Sequence, residues 1–286
     1  MIYFHHSTSP DPYFNLALEL TLLYQDWPVE QSELLLTYIN RPAVVMGRFQ
    51  NPWQEINLQY ALEQNVSILR RMSGGGTVYH DEGVINFCVI SSATDYSRSW
   101  ALQNLVATMK DFGIELIENH RFDLYYRGAK VTGSAMRKTK DKTLHHFTLL
   151  AEGNYPRIAE ILNHDNLHEG LLRPNASVAS VKVPTTKLFS RKDWCPELSD
   201  SIRKRFVAQW SQFRKLQSYE VGPLLPEAKY QEQMQSIDWI FGETPDFNVV
   251  NKAGRELNIH KGHLINQGEC LYRPKLWTLQ QLVGLA

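Results

Sequence analysis

The chain has 286 residues, of which 43% are hydrophobic and 21% charged, with 30 Lys+Arg balanced by 30 Asp+Glu. This is a globular composition with room for one large domain or a large and a small one, and zero net charge weakens the case for an extended nucleic-acid interface, which needs a basic face. No apolar run is long enough to span a bilayer, residues 1–6 do not read as a signal peptide, and the dispersed Cys88, Cys195 and Cys270 suit a reducing cytoplasm.

Asp11-Pro12 opens a helix, with an acceptor at the cap and proline in the first turn. Phe14, Ala17, Leu18, Thr21 and Leu22 then recur on one face. Residues 33–39 and 43–47 read as strands around the turn Asn40-Arg41-Pro42. A helix is expected over 53–64. Residues 66–69 form a β-type run that delivers Arg70 and Arg71 into Met72-Ser73-Gly74-Gly75-Gly76. Three glycines let backbone amides approach an anion closely, and successive amides can cradle it. The paired arginines add forked donors suited to carboxylate or phosphate. An anion site is therefore a better reading of this loop than a flexible turn.

Thr77-Val78-Tyr79-His80-Asp81 leads to an apolar strand over 84–90, inside which Cys88 reads as packing rather than a nucleophile. A helix follows over 99–112, with Gly113 as its stop. Strands are expected at 114–117, 124–126, 130–132 and 147–150, with Arg127-Gly128 as a turn. Helices are expected over 155–162 and 199–213. Gly222-Pro223-Leu224-Leu225-Pro226 resembles a linker. It precedes a helix over 228–239 and strands at 247–250, 256–260 and 263–266, the first two joined by a turn at 251–254. Strands interleaved unevenly with helices imply an α+β fold with a mixed sheet. About 40 residues at the end are too few to fold alone, so they should pack on what precedes them.

The run Arg70 to Asp81 matches every specified position of Arg-Arg-x-Ser-Gly-Gly-Gly-x-Val-x-His-Asp. It resembles the first signature of the lipoate–protein ligase A family, in the superfamily shared with octanoyl transferases and biotin ligases. A second block agrees: Asp123-Leu124, then Gly128 to Arg137, then His145-His146-Phe147-Thr148-Leu149-Leu150. Pro12 to Glu19 resembles the family's opening helix, and Gly47 to Trp53 its next segment. The resemblance implies a central mixed β-sheet flanked by helices, with a catalytic domain over 1–244 and a short accessory lobe over 245–286.

The implied activity is ATP-dependent. Lipoate or octanoate and ATP form an acyl-adenylate, with release of pyrophosphate. The acyl group then passes to a lysine of a lipoyl carrier domain, of a 2-oxoacid dehydrogenase E2 or the glycine-cleavage carrier protein. Carrier contact is transient and the enzyme is expected to be a cytoplasmic monomer. Lys130 corresponds to the family's catalytic lysine. A lone lysine on a strand is by default an exposed charge, but Gly128 and the small residues Gly133, Ser134 and Ala135 permit close approach of a ligand. Asp123 corresponds to the aspartate that holds Mg²⁺ together with phosphates, although by itself it reads equally well as a turn cap.

Acyl-adenylate contacts are implied for Arg70, Arg71, Ser73, Gly74, Gly75 and Gly76, and for Val78, Tyr79, His80 and Asn86. Gly133, Ser134, Ala135, Arg137, His146 and Lys182 complete that set; Lys182 belongs to Ser180-Val181-Lys182, which resembles a loop that closes over the adenylate. His145-His146 is no metal motif, because neighbouring strand residues face opposite ways.

Two positions and one stretch depart from the family pattern. Phe122 stands where asparagine is usual, and Phe147 where glycine is frequent, an aromatic for glycine that would narrow a channel or reshape the acyl pocket. Residues 183–188 lack an expected arginine. Adenylation is expected to survive these changes. An ATP-independent octanoyl or lipoyl transferase, and a homologue that binds lipoyl domains without catalysis, are the alternatives; a biotin ligase is a weaker third.

Overall fold

A computed structural model describes residues 1–25, 33–92, 96–162, 172–174, 183–250, 256–266 and 269–272. The turn expected at 251–254 and the loop residues Ser180, Val181 and Lys182 lie outside the described residues. The chain folds as two compact units that interleave in sequence. The first comprises Met1–Arg41, His80–Asn154 and Lys182–Tyr230; the second comprises Pro42–Tyr79, Tyr155–Val181 and Gln231–Ala286.

The first unit is built on a six-stranded sheet in the order Ser134–Lys138, Thr143–Leu150, Val84–Ser91, Glu33–Tyr38, Ile2–His6, Ser218–Glu220. The first four strands pair antiparallel and the last two join in parallel, so the sheet is mixed, as expected. Every residue of Val84–Ser91 is buried, which is why that strand reads as a continuous apolar run rather than an alternation. On one face Leu18, Leu22 and Leu23 of the helix Pro12–Tyr24 pack with Leu36, Cys88, Ile90 and Leu144. On the other, Leu102 and Leu105 of Arg98–Lys110 and Phe206 and Trp210 of Pro196–Arg214 pack with Ile85, Phe87, Val89 and Phe147. Phe147 stacks on Phe87 at 5.3 Å, so its bulk is absorbed by this core.

A small antiparallel sheet, Ile117–Glu118, Leu124–Tyr126 and Ala129–Lys130, projects Lys130. Its second turn is Arg127-Gly128, with φ of 49° and 81°, the twist that suits a two-residue hairpin. The preceding turn puts Phe122 at φ 62°, in the left-handed region. Asparagine enters that region more easily than a bulky residue, which gives the family's usual residue there a physical reason.

In the second unit Ser67–Arg70, Ala43–Met46 and the strand that begins with Val78 and Tyr79 form one sheet, and Leu172–Pro174, Phe247–Val250, Glu256–His260, His263–Asn266 and Glu269–Tyr272 form another. The terminal strands are not isolated: Phe247 packs on Trp53, with ring centroids 5.2 Å apart. Two expected helices are each split. Residues 53–64 become Pro52–Glu55 and Leu58–Glu63, because Ile56 is extended and Asn57 caps the second piece through Tyr60 N. Residues 228–239 divide into Ala228–Gln235 and Ile237–Ile240, where Ser236 caps through Trp239 N.

Candidate functional site

The glycine loop belongs to the second unit and is interlocked with residues 47–50. Arg48 N donates to Ser73 O at 2.8 Å, and Thr77 Oγ1 donates to Gln50 Oε1 at 2.7 Å. A Cβ on Gly47 would lie 2.0 Å from Gly75 O, so only glycine fits there. Gly75 has φ 88°, whereas Gly74 has open space around it.

Both arginines turn donors inward. Arg70 is fully buried. Its Nε donates to Trp239 O and Ile240 O, its Nη1 to Gly47 O, Arg48 O and Gln50 O, and its Nη2 to Thr244 Oγ1. Burial, helped by the neighbouring Arg48 cation, pulls its pKa down to about 9, which still leaves it charged at neutral pH. Arg71 donates to Ser73 Oγ, Val45 O, Gly74 O and Gly76 O, and so braces the loop from within. Arg48 lies 4.2 Å over the Trp239 ring and pairs with Glu243 at 2.7 Å. Val78 is half-buried; Tyr79 is buried, and its hydroxyl bonds Arg157.

Lys130, Asp123, Asn86, His80, His146 and the strand beginning at Ser134 belong to the first unit. Lys130 Nζ lies 2.8 Å from Asp123 Oδ1, both side chains partly exposed. The backbone around the lysine is held on two sides. Lys130 N donates to Pro184 O at 2.9 Å and Thr186 N donates to Lys130 O, so residues 184–186 run alongside it. Asp123 N donates to Asn119 Oδ1, which fixes the turn carrying the carboxylate. Gly133 and Thr148 exchange two bonds at 2.9 Å, one to the Thr148 hydroxyl. Arg137 Nε reaches the Tyr24 hydroxyl.

The histidines differ in surroundings. His146 Nδ1 lies 2.7 Å from the buried carboxylate of Glu19, which also accepts from Tyr38 Oη at 2.9 Å. Ala135 pairs with His146 in the sheet register. His80 Nδ1 accepts from Asn40 Nδ2 at 2.9 Å; Asn40 Oδ1 in turn accepts from Asn15, which takes the proton of Ser7. That chain leaves the His80 proton on Nε2 in the neutral ring. His145 is fully buried between Ser134 and Tyr96. Asn86 is buried and donates to Tyr38 O at 3.4 Å. Asp81, next in the signature, accepts from Gly83 N and Asn154 N, and burial pushes its carboxyl up against the pull of those two amides.

Residues 11–200 match the lipoyl protein ligase A/B catalytic domain. The chain belongs to that family. Its fold is similar to that of LipL1 from P. falciparum in complex with lipoate, at 24% identity over 91% of this chain and 80% of that one, with a TM-score of 0.67. A lipoate-protein ligase A bound with ATP matches at 18% identity over 81% and 92%, TM-score 0.65. A bipartite lipoate protein ligase from Thermoplasma acidophilum, solved in a study that includes its E2 lipoyl domain, matches at 18% over 84% and 94%, TM-score 0.64.

Within this lipoyl ligase domain several polar residues went unassigned in the sequence. Glu19, Asn40 and Tyr96 are distant in sequence from the histidines they touch, and Tyr38 and Asn15 bond Glu19 and Asn40 in turn. The only local signal was a polar residue on an otherwise apolar helix or strand, which demands a partner if buried. Cys88 also lies beside Glu19; burial and that charge push its thiol well up, so it stays protonated. Among the described residues no group of three or more His, Cys, Asp or Glu could hold a metal ion by itself, and no helix is long and apolar enough to cross a membrane.

Proposed function

We propose that this protein is an ATP-dependent lipoate–protein ligase that activates lipoate or octanoate as the acyl-adenylate and transfers the acyl group to a lysine of a lipoyl carrier domain. The observation that carries the reading is Lys130. Its ammonium is held 2.8 Å from Asp123, on a strand braced by residues 184–186, in a chain that keeps the whole Arg-Arg-x-Ser-Gly-Gly-Gly motif. A fixed ammonium stabilises the negative charge that develops on acyl and phosphoryl oxygens in both steps. Gly74, Gly75 and Gly76 supply amides for phosphate, on a loop that Arg70 and Arg71 hold in shape. Ser134, Arg137, His146 and Asn86 are contacts for the acyl-adenylate, and Lys182 a closing charge.

Asp123 offers one hard oxygen donor, which fits Mg²⁺ when phosphates and water fill the other positions. Bound there, the ion would neutralise phosphate charge as pyrophosphate leaves. The carrier is a lipoyl domain; the Thermoplasma acidophilum relative, studied with its E2 lipoyl domain, supports that class of partner. Contact is transient and the ligase acts as a monomer in the cytoplasm.

An ATP-independent acyl transferase is the second reading. The version that would use Cys88 is disfavoured by that thiol's burial. The test is pyrophosphate release and carrier mass with purified protein, Mg-ATP, lipoate and an apo lipoyl domain, beside Lys130→Ala. The expected result is pyrophosphate and one added lipoyl mass, both lost in the folded variant. Acyl transfer from a carrier thioester without ATP would establish the transferase instead. Carrier binding with no product in either assay would leave a non-catalytic binder.

A further inference from the structure

Ser134 begins a buried chain of hydrogen bonds that runs away from the exposed edge of its strand. Ser134 Oγ lies 2.9 Å from His145 Nε2, and His145 Nδ1 lies 2.8 Å from the Tyr96 hydroxyl. The imidazole has no exposed surface, and burial, with smaller contributions from His146 and Arg98, pulls its pKa down to about 3. It is therefore neutral in the working range. A neutral imidazole has one N–H and one lone pair, so it donates at one nitrogen and accepts at the other.

Tyr96 settles which is which. Its side chain is buried, burial pushes the phenol well above its ordinary range, and among the described residues His145 Nδ1 is its one hydrogen-bond partner. If Nδ1 carried the ring proton, the phenolic proton would be buried without an acceptor, an expensive arrangement. If the phenol donates to Nδ1, every proton has a place. The ring proton is then on Nε2 and is given to Ser134 Oγ. The serine's own proton is left to point elsewhere, and Ser134 is only partly buried.

We infer that Tyr96 and His145 are positioning residues that fix the Ser134 hydroxyl as a hydrogen-bond donor toward the ligand, so that this strand selects an oxygen acceptor such as a carboxylate or an acyl-phosphate oxygen. With the opposite tautomer Ser134 would give its proton to His145 and could only accept. The assignment deepens the ligase reading and rests on it for the identity of the ligand, but the relay itself is a property of the free protein.

Two measurements test it. Long-range ¹⁵N–¹H correlation spectra of the labelled wild-type protein, with the His145 signals identified by their loss in His145→Gln, report the tautomer. A protonated Nε2 is expected; a protonated Nδ1 overturns the inference whatever the protein's activity. Calorimetric titration with lipoate then compares wild type, Ser134→Ala, Tyr96→Phe and the double variant. Loss of one hydrogen bond to the carboxylate predicts about tenfold weaker binding for Ser134→Ala. Tyr96→Phe should weaken binding a few-fold, and the double variant should bind no worse than Ser134→Ala, because Tyr96 acts through the serine. Independent, multiplying effects would mark Tyr96 as merely structural and overturn the inference. If wild type binds no lipoate, the ligase reading fails while the spectra still decide the relay.

Discussion

Replacing Arg70 by methionine removes a cation whose donors converge on five main-chain carbonyls and the Thr244 hydroxyl, while keeping a comparable apolar stem. Four of these contacts are 2.8–2.9 Å long, to Ile240 O, Arg48 O, Gln50 O and Thr244 Oγ1. Hydrogen bonds from a charged donor contribute about 1.5–3 kcal/mol each, so about 6–12 kcal/mol of gross interaction is lost. Part of that is offset, because burying the guanidinium is itself costly, as its lowered pKa records. Gly47 O keeps Gln50 N as a donor, but the other carbonyls are backbone that cannot move away and lose the guanidinium, so the loss outweighs the relief. A net destabilisation of about 3–5 kcal/mol follows, the scale for breaking a buried charged network from one side. Urea denaturation would measure it, and native-state hydrogen exchange should show lost protection at 47–50 and 239–244. Arg70→Lys keeps the charge but not the fork, and should recover less than about half of the loss. A change below about 1 kcal/mol with unaltered exchange in those segments would refute the view that Arg70 holds them together.

Gly47→Ala places a methyl against Gly75 O, with Gly75 C and Gly74 C also close and all three atoms backbone, and should cost at least about 2 kcal/mol in thermal unfolding, whereas Gly74→Ala, which meets nothing within 4 Å, should cost less than about 1 kcal/mol. Phe122→Asn relieves a left-handed backbone at about 1–2 kcal/mol but gives up the stacking of Arg98 at 4.4 Å over the ring, worth about 0.5–1 kcal/mol; a net gain below about 1.5 kcal/mol is expected, and a loss in denaturation midpoint would show that the stack dominates. His145 has a folded pKa of about 3 against 6.5 unfolded, so the unfolded chain binds the proton more readily. Its contribution to stability is complete above about pH 6.5 and is lost as pH falls toward 3, a difference on the order of 5 kcal/mol. Stability curves for His145→Gln should be correspondingly flatter across that window; an identical acid dependence would count against a buried neutral ring.

Residues whose roles depend on near neighbours were readable from the chain alone. Asp11-Pro12 starts its helix because an acceptor and a proline are local devices, and the side chain of Asp11 does take Tyr13 N. Arg127-Gly128 turns, and Val84–Ser91 is buried on both faces, for similarly local reasons. The Gly74–Gly76 loop and the blocks around Lys130 were sufficient to point to the family. The helix expected over 53–64 misled because hydrophobic spacing continued through Asn57, whose capping bond competes with the helix it interrupts.

Tertiary structure decided what depends on long-range pairing. Ile2–His6 and Ser218–Glu220 lie side by side in parallel although more than 200 residues separate them, and neither has a local pattern that names its partner. The two units are assembled from interleaved segments, which no single boundary in the chain could express. The sequence reads the paired arginines ahead of the glycine loop as donors to an anion, but the same charge and fork also serve a strut. Only the carbonyls of 47–50 and of Trp239 and Ile240, brought around Arg70 by folding, determine where its donors go. The same holds for His145: its identity is in the sequence, but its tautomer belongs to Tyr96, 49 residues away.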